Sequence, residues 1–203
     1  ALPLMQHALD RLWTRQEERV LTAAAYRATG GIEGSLAEHA EGVYGTLHED
    51  ERRAARRVLL RLVRLAVPGE QIEDTRATAR RDEIGETDWP VAERLASERL
   101  ATLGRDPASG VETAEVAHEA LIRAWPRLRR WLDEDREFGL WRQRLRGDVD
   151  KWGGGNEDAL LRGGLLAEAE HWRRDRGAAL NETEGAFIDA SVQRAREERA
   201  ERE

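Results

Sequence analysis

Leu100-Ala101-Thr102-Leu103 and Glu112-Thr113-Ala114-Glu115-Val116-Ala117, joined by Gly104-Arg105-Asp106-Pro107-Ala108-Ser109-Gly110, decide how the chain is read. Both flanking runs alternate approximately between apolar and polar residues, the period of a strand. The stretch between them holds glycine, proline, aspartate and serine, residues that turn a backbone. Together they predict a β-hairpin over 99–117.

Upstream of the hairpin the period becomes helical. Thr87-Asp88 before Trp89-Pro90 is a helix-start signal, and Val91, Leu95 and Ala96 form a short apolar stripe, so a helix is expected over 88–97. Residues 70–87 are polar without a clear period and read as loop with at most a short strand. Ala55, Val58, Leu59, Leu62, Val63 and Leu65 predict the most apolar helix of the chain over 50–66, ended by Pro68-Gly69. Leu36, Ala40, Val43 and Tyr44 predict another over 34–46. Earlier still, Thr22 suits the N-cap of a short helix carrying Tyr26, stopped by Gly30-Gly31. Leu2, Met5, Leu9 and Leu12 recur at three and four from the first residues, so the chain is expected to be part of a longer protein.

Downstream, Leu121, Ala124, Leu128, Trp131 and Leu132 share one helical side. Phe138, Trp141, Leu145, Val149 and Trp152 share the next, which Gly153-Gly154-Gly155 breaks. A helix over 157–174 carries Leu161, Leu165, Ala169 and Trp172, with Gly163-Gly164 inside it. Asn181 with Glu184 resembles a capping box for a last helix bearing Phe187, Ile188 and Val192. From Gln193 onward the chain is alternating arginine and glutamate with two alanines, which reads as solvated helix or frayed end. The fold class expected is mainly α. Residues 32–118 have the element order of a winged helix, with the hairpin as its small β wing, and 119–203 form a C-terminal helical bundle. Trp125, Trp131, Trp141, Trp152 and Trp172 read as bundle core.

Composition narrows the function. The 203 residues carry a net charge of −7, so a chain built mainly to coat nucleic acid is disfavoured. Lys151 is the single lysine among 33 basic residues, and no cysteine is present, which excludes disulfides and thiolate metal sites. No apolar run approaches a membrane span. There is no Gly-x-x-x-x-Gly-Lys-Ser/Thr, so the chain has no P-loop of its own and is not expected to act as an enzyme alone. His118-Glu119 lacks a second metal histidine, because Arg123 stands where it is needed. His7, His39, His48 and His171 have no metal spacing, and no metal site is expected.

Three segments carry a resemblance. They are Leu2-Pro3-Leu4-Met5-Gln6-His7-Ala8-Leu9; Leu36-Ala37-Glu38-His39-Ala40 followed by Arg56-Arg57-Val58-Leu59-Leu60-Arg61-Leu62-Val63; and Val116-Ala117-His118-Glu119-Ala120-Leu121-Ile122-Arg123-Ala124-Trp125-Pro126-Arg127-Leu128. In this order they resemble the bacterial STAND NTPases, signal-transduction ATPases related to the AAA+ class. The nearest subgroup is the novel STAND NTPases often joined to WD-repeat propellers. The resemblance implies that 1–31 ends a helical lid, and that a P-loop NTPase domain precedes the chain. It implies a sensor such as a WD-repeat propeller after it, a cytoplasmic location, and homo-oligomer formation on activation. ADP or ATP with Mg would bind the full-length protein, with no nucleotide held tightly by this chain alone. In the family a Gly-Leu-Pro-Leu proline packs beside adenine, which carries over to Pro3, although Ala1 replaces the glycine. A Met-His-Asp histidine faces the β-phosphate of ADP, which carries over to His118; Ala117 and Glu119 depart from that motif. Without the resemblance, His118 reads as a helix cap or as a partner for a buried carbonyl. Two other functions compete: a winged-helix DNA-binding regulator reading through 88–98, and a structural helical scaffold. Arg94 in that helix is offset by Asp88, Glu93 and Glu98, so no DNA partner is expected.

Overall fold

Residues 31–69 and 72–201 are described by the computed structural model of the chain. The two helices expected before Gly31, and Pro3 with them, lie outside the described residues. Helix α1 spans Gly31–Thr46 and α2 spans Glu49–Arg61. Glu49, Asp50 and Glu51 occupy the first turn of α2, where the helix dipole favours negative charge, and Glu51 Oε2 accepts from the His48 N–H at 2.8 Å. Ala54, Ala55, Val58 and Leu59 line its buried face.

α2 stops at Arg61 rather than running to 66. Val63–Arg64 instead forms strand β1, paired antiparallel with β2 (Thr75–Arg76). The cause is long-range. The Leu65 N–H donates to Gln143 Oε1 at 3.1 Å, and the Leu62 carbonyl accepts from the Ala77 N–H at 2.8 Å. Val63 and Leu65 stay buried while Arg64 is exposed, the period-two pattern of a strand.

Strand β3 (Ala79–Arg80) and the single turn α3 (Arg81–Ile84) follow, inside the stretch read as mostly loop; α4 is Trp89–Ser97. The expected hairpin is present as β4 (Ala101–Arg105) and β5 (Glu112–Val116), in register from Ala101 opposite Val116 to Arg105 opposite Glu112. In its loop the Asp106 carboxylate accepts from the Ser109 N–H at 3.0 Å, and Gly110 adopts φ +71, a conformation that disfavours any side chain. β3 pairs on the other edge of β5, so the sheet order is β3-β5-β4 and all pairs are antiparallel.

The remainder is helical: α5 (Ala120–Ala124), α6 (Pro126–Glu134), α7 (Arg136–Gly153), α8 (Gly163–Arg176) and α9 (Glu182–Ala200). Pro126 splits the side shared by Leu121 and Leu132 into two helices, because the residue before a proline avoids the helical region; Trp125 sits at φ −89, ψ 107. Gly163 opens α8 instead of lying within a helix, so Leu166 turns inward and Leu165 stays 61% exposed. The Asn181 capping box is formed, with Oδ1 accepting from the Glu184 N–H at 2.7 Å. The described chain is mainly helical with small antiparallel sheets. Among the described residues no helix is long and apolar enough to cross a membrane.

Apolar packing divides after Leu132. One core runs from Leu36 to Leu132, and a second from Phe138 to Ile188. Trp125 and Trp131 therefore belong to the first core, meeting Tyr44 edge-on at centroid distances of 6.2 and 5.3 Å. Trp141 and Trp172 pack around Phe138 in the second. Between the cores, Arg61 Nη2 pairs with Glu184 Oε2 at 2.9 Å and donates to the Ala179 carbonyl at 3.0 Å; both charged side chains are 9% exposed. Burial pushes the Glu184 carboxyl up, but the Arg61 guanidinium outweighs it and holds Glu184 below the ordinary carboxylate value. Removing one partner of a buried pair strands the other charge, so Glu184→Gln is expected to lower stability by about 3 kcal/mol at neutral pH in denaturant titration. A depressed carboxylate stabilises the fold above the unfolded pKa, and this contribution is lost as pH falls through the folded value. The difference between native chain and Glu184→Gln should therefore shrink in acid, as pH drops below about 4.5.

Candidate functional site

Strand β5 is the central strand of its sheet, and it delivers His118 to the surface. Val116, its last residue, is fully buried, and the Ala117 N–H donates to the Leu100 carbonyl at 3.0 Å. Two residues on, α5 begins. Leu121 and Ile122 bury their side chains in the first core, and Trp125 closes the helix with its indole N–H donating to Glu41 Oε2 at 2.8 Å. His118 is thus held between a paired strand and an anchored helix, a mount whose backbone has little freedom.

The imidazole itself is half-buried. The His118 carbonyl accepts from the Leu121 N–H at 2.9 Å, so the backbone starts the helix turn. The residue before α5, Glu119, makes no side-chain capping bond and is exposed. Among the described residues the His118 ring has no hydrogen-bond partner. It neither caps the helix nor satisfies a buried carbonyl there. Burial lowers its pKa below the ordinary histidine value, and the guanidinium of Arg76 lowers it further. The ring is therefore neutral at physiological pH, with one N–H to give.

Arg76 was not legible in the sequence, since it lies in the stretch read as loop. Arg76 ends β2, in the other small sheet, and its side chain reaches across to β5. Arg76 lies 3.6 Å from Glu115 and is 52% exposed. A neutral N–H donor and a cation share one end of the sheet, and that pairing suits an anionic oxygen.

Other candidates resolve into structural roles. His39 Nε2 lies 2.7 Å from the Glu98 carbonyl oxygen, and His171 packs on Trp172. Among the described residues no group of three or more His, Cys, Asp or Glu could hold a metal ion. On α4, Arg94 pairs with Glu51 at 2.6 Å, and Asp88 at its start holds Arg57. The Trp89 indole donates to Glu93 at 3.0 Å.

The novel STAND NTPase 1 family model matches residues 1–159. No curated protein and no solved structure matches the chain. The electrostatics at His118 give a direct expectation. In a proton NMR titration its ring should titrate below 6.5, and Arg76→Gln should move that value upward. Since the folded pKa is depressed, the stability it supports is present above 6.5 and lost as pH falls through the folded value.

Proposed function

The chain belongs to the novel STAND NTPase 1 family, and from that premise we propose that it is the regulatory segment of a STAND-type nucleotide switch. In this reading 1–31 end the lid, 32–118 form a winged helix, and 119–203 connect to a downstream sensor domain. The phosphate-cradling loop belongs to an upstream P-loop domain. The segment holds the ADP-bound resting state and passes a change of nucleotide state to sensor and effector domains in the cytoplasm. The observation that carries the reading is His118, a half-buried, neutral imidazole without a partner among the described residues, mounted at the end of the central strand of the sheet.

A neutral imidazole donates one N–H to a phosphate oxygen without adding a buried charge. His118 would make that bond only while this segment is closed over the nucleotide domain. ADP would then bind the closed state better than the open one, and that difference is its whole leverage on the equilibrium. Pro3 would pack beside the adenine. Arg94 engaged by Glu51 leaves α4 without a free cation for a phosphate backbone, which supports a switch over a DNA reader.

The test is His118→Ala in the full-length protein. One hydrogen bond to a charged group is worth about 1.5–3 kcal/mol, so the open fraction should rise roughly ten- to a hundredfold. This appears as faster ADP release and as assembly without signal. A variant that loses thermal stability but releases ADP at the native rate would show that the histidine is structural, and the proposal would fall.

A further inference from the structure

Away from His118, a second cluster of cations lies where the two cores meet. A cavity of about 440 Å³ opens between the end of α2, β1 and Ala77–Ala79 on one side, and α7 with Glu184 on the other. Ligand cavities begin at about 300 Å³, so a small organic molecule fits. Five arginines line it, Arg61, Arg64, Arg142, Arg144 and Arg146, against two carboxylates, Glu83 and Glu184. That positive excess stands within a chain of net charge −7.

Pairing separates the five. Arg61 is taken by Glu184 at 2.9 Å, Arg146 by Glu83 at 2.7 Å, and Arg144 by Glu168 at 3.2 Å. Both carboxylates of the cavity are thereby engaged. Among the described residues, Arg64 and Arg142 have no carboxylate within 4.0 Å. Arg142 has only a long bond to the Leu60 carbonyl at 3.4 Å and the face of Phe138 at 5.4 Å. Desolvation, followed by repulsion from Arg61, pushes its pKa down to about 10 against the opposing fields of Glu184, Asp135 and Glu83; it remains a cation at neutral pH, and none of these carboxylates is in ion-pair contact with it. Leu60, Val63 and Leu65 give the cavity an apolar part of its lining.

We propose that this cavity binds a small phosphorylated molecule, its phosphate taken by the forked donors of Arg142 and Arg64 and its organic body laid against Leu60, Val63 and Leu65. A guanidinium fork matches phosphate oxygens two at a time, and two forks serve a dianion better than a monoanion. Because the walls come from both cores, the bound ligand favours the arrangement in which they are docked. The site is separate from His118, which does not line it.

The test is calorimetric titration of the 203-residue chain with inorganic pyrophosphate at constant ionic strength, on native chain, Arg142→Met, Arg64→Met and His118→Ala. The expected result is binding by the native chain, weakened at least tenfold in each arginine variant and unchanged in His118→Ala. Without pyrophosphate, Arg142→Met should melt no lower than the native chain, since a desolvated cation has been removed. Absence of binding by the native chain overturns the proposal. So does equal binding by Arg142→Met, or a loss confined to His118→Ala, which would place the anion at the other site. If Arg142→Met melts lower and binds pyrophosphate normally, the arginine only caps α2 and the proposal is again overturned. Arg64 is exposed, so Arg64→Met decides the matter should Arg142→Met not fold.

Discussion

Charge on one face of α2 determines how the two halves of this chain meet. The helix is two-sided. Ala54, Ala55, Val58 and Leu59 face the first core, and Arg53, Arg56, Arg57 and Arg61 recur at three and four on the other side. Arg53 pairs with Glu49 and Asp50 of its own helix, and the other three act outward. Arg57 grips both oxygens of Asp88 at 2.7 and 2.6 Å, Arg56 reaches Glu134 and Asp135, and Arg61 is buried on Glu184. An apolar joint would accept many sliding arrangements. A joint held by a buried ion pair accepts few, because displacing Arg61 or Glu184, both 9% exposed, leaves a charge uncompensated in a dry environment. Asp135 shows how tightly these links are drawn: it takes Arg56 at 2.9 Å and Arg176 at 2.6 Å at once, tying α2 to α8 through one carboxylate.

The same polar joint bears on the proposed switch. A segment that reported nucleotide state would have to move as a body, so its parts would need firm connections. It would also have to present a ligand-sensing group that the fold itself does not use. The arginine face of α2 would meet the first need, and the His118 ring, which has no hydrogen-bond partner among the described residues, would meet the second. Elsewhere the described chain satisfies its polar groups closely: His39 lies against the Glu98 carbonyl, His48 starts α2, and His171 packs on Trp172. A donor left over in such a structure is a candidate for work outside it.

How much of this could be read from the sequence depends on the range of the forces involved. Local signals sufficed for the hairpin, because the turn residues 104–110 and the alternation around them act within a few positions. They sufficed too for the Asn181 cap and the start of α4. They did not suffice where a distant partner decided. Leu62–Leu65 carries a pattern compatible with helix, yet Gln143 and Ala77 supply the backbone partners that make it a strand. Trp125 and Trp131 have the spacing of a bundle stripe, yet Tyr44, more than eighty residues away, takes them into the first core. At the candidate site His118 was found by its motif, while Arg76 had no local signal. It is brought near by the tertiary contact of its side chain with Glu115 of β5. The cation pair Arg64 and Arg142 was likewise hidden among 33 basic residues, since what distinguishes them is their place on one cavity wall, set by tertiary packing.

The place of β5 in its sheet has one more consequence. A strand bonded on both edges loses its amide protons to solvent only when a neighbour detaches, whereas an edge strand frays alone. Hydrogen exchange should thus be slowest at Thr113 and Ala114, which pair with both β3 and β4, and faster on the outward edges of those strands. The histidine beyond β5 then stands a few residues from some of the least labile backbone of the described chain. Any signal it carries reaches the rest of the chain as displacement of an intact unit, and the sheet need not melt to transmit it.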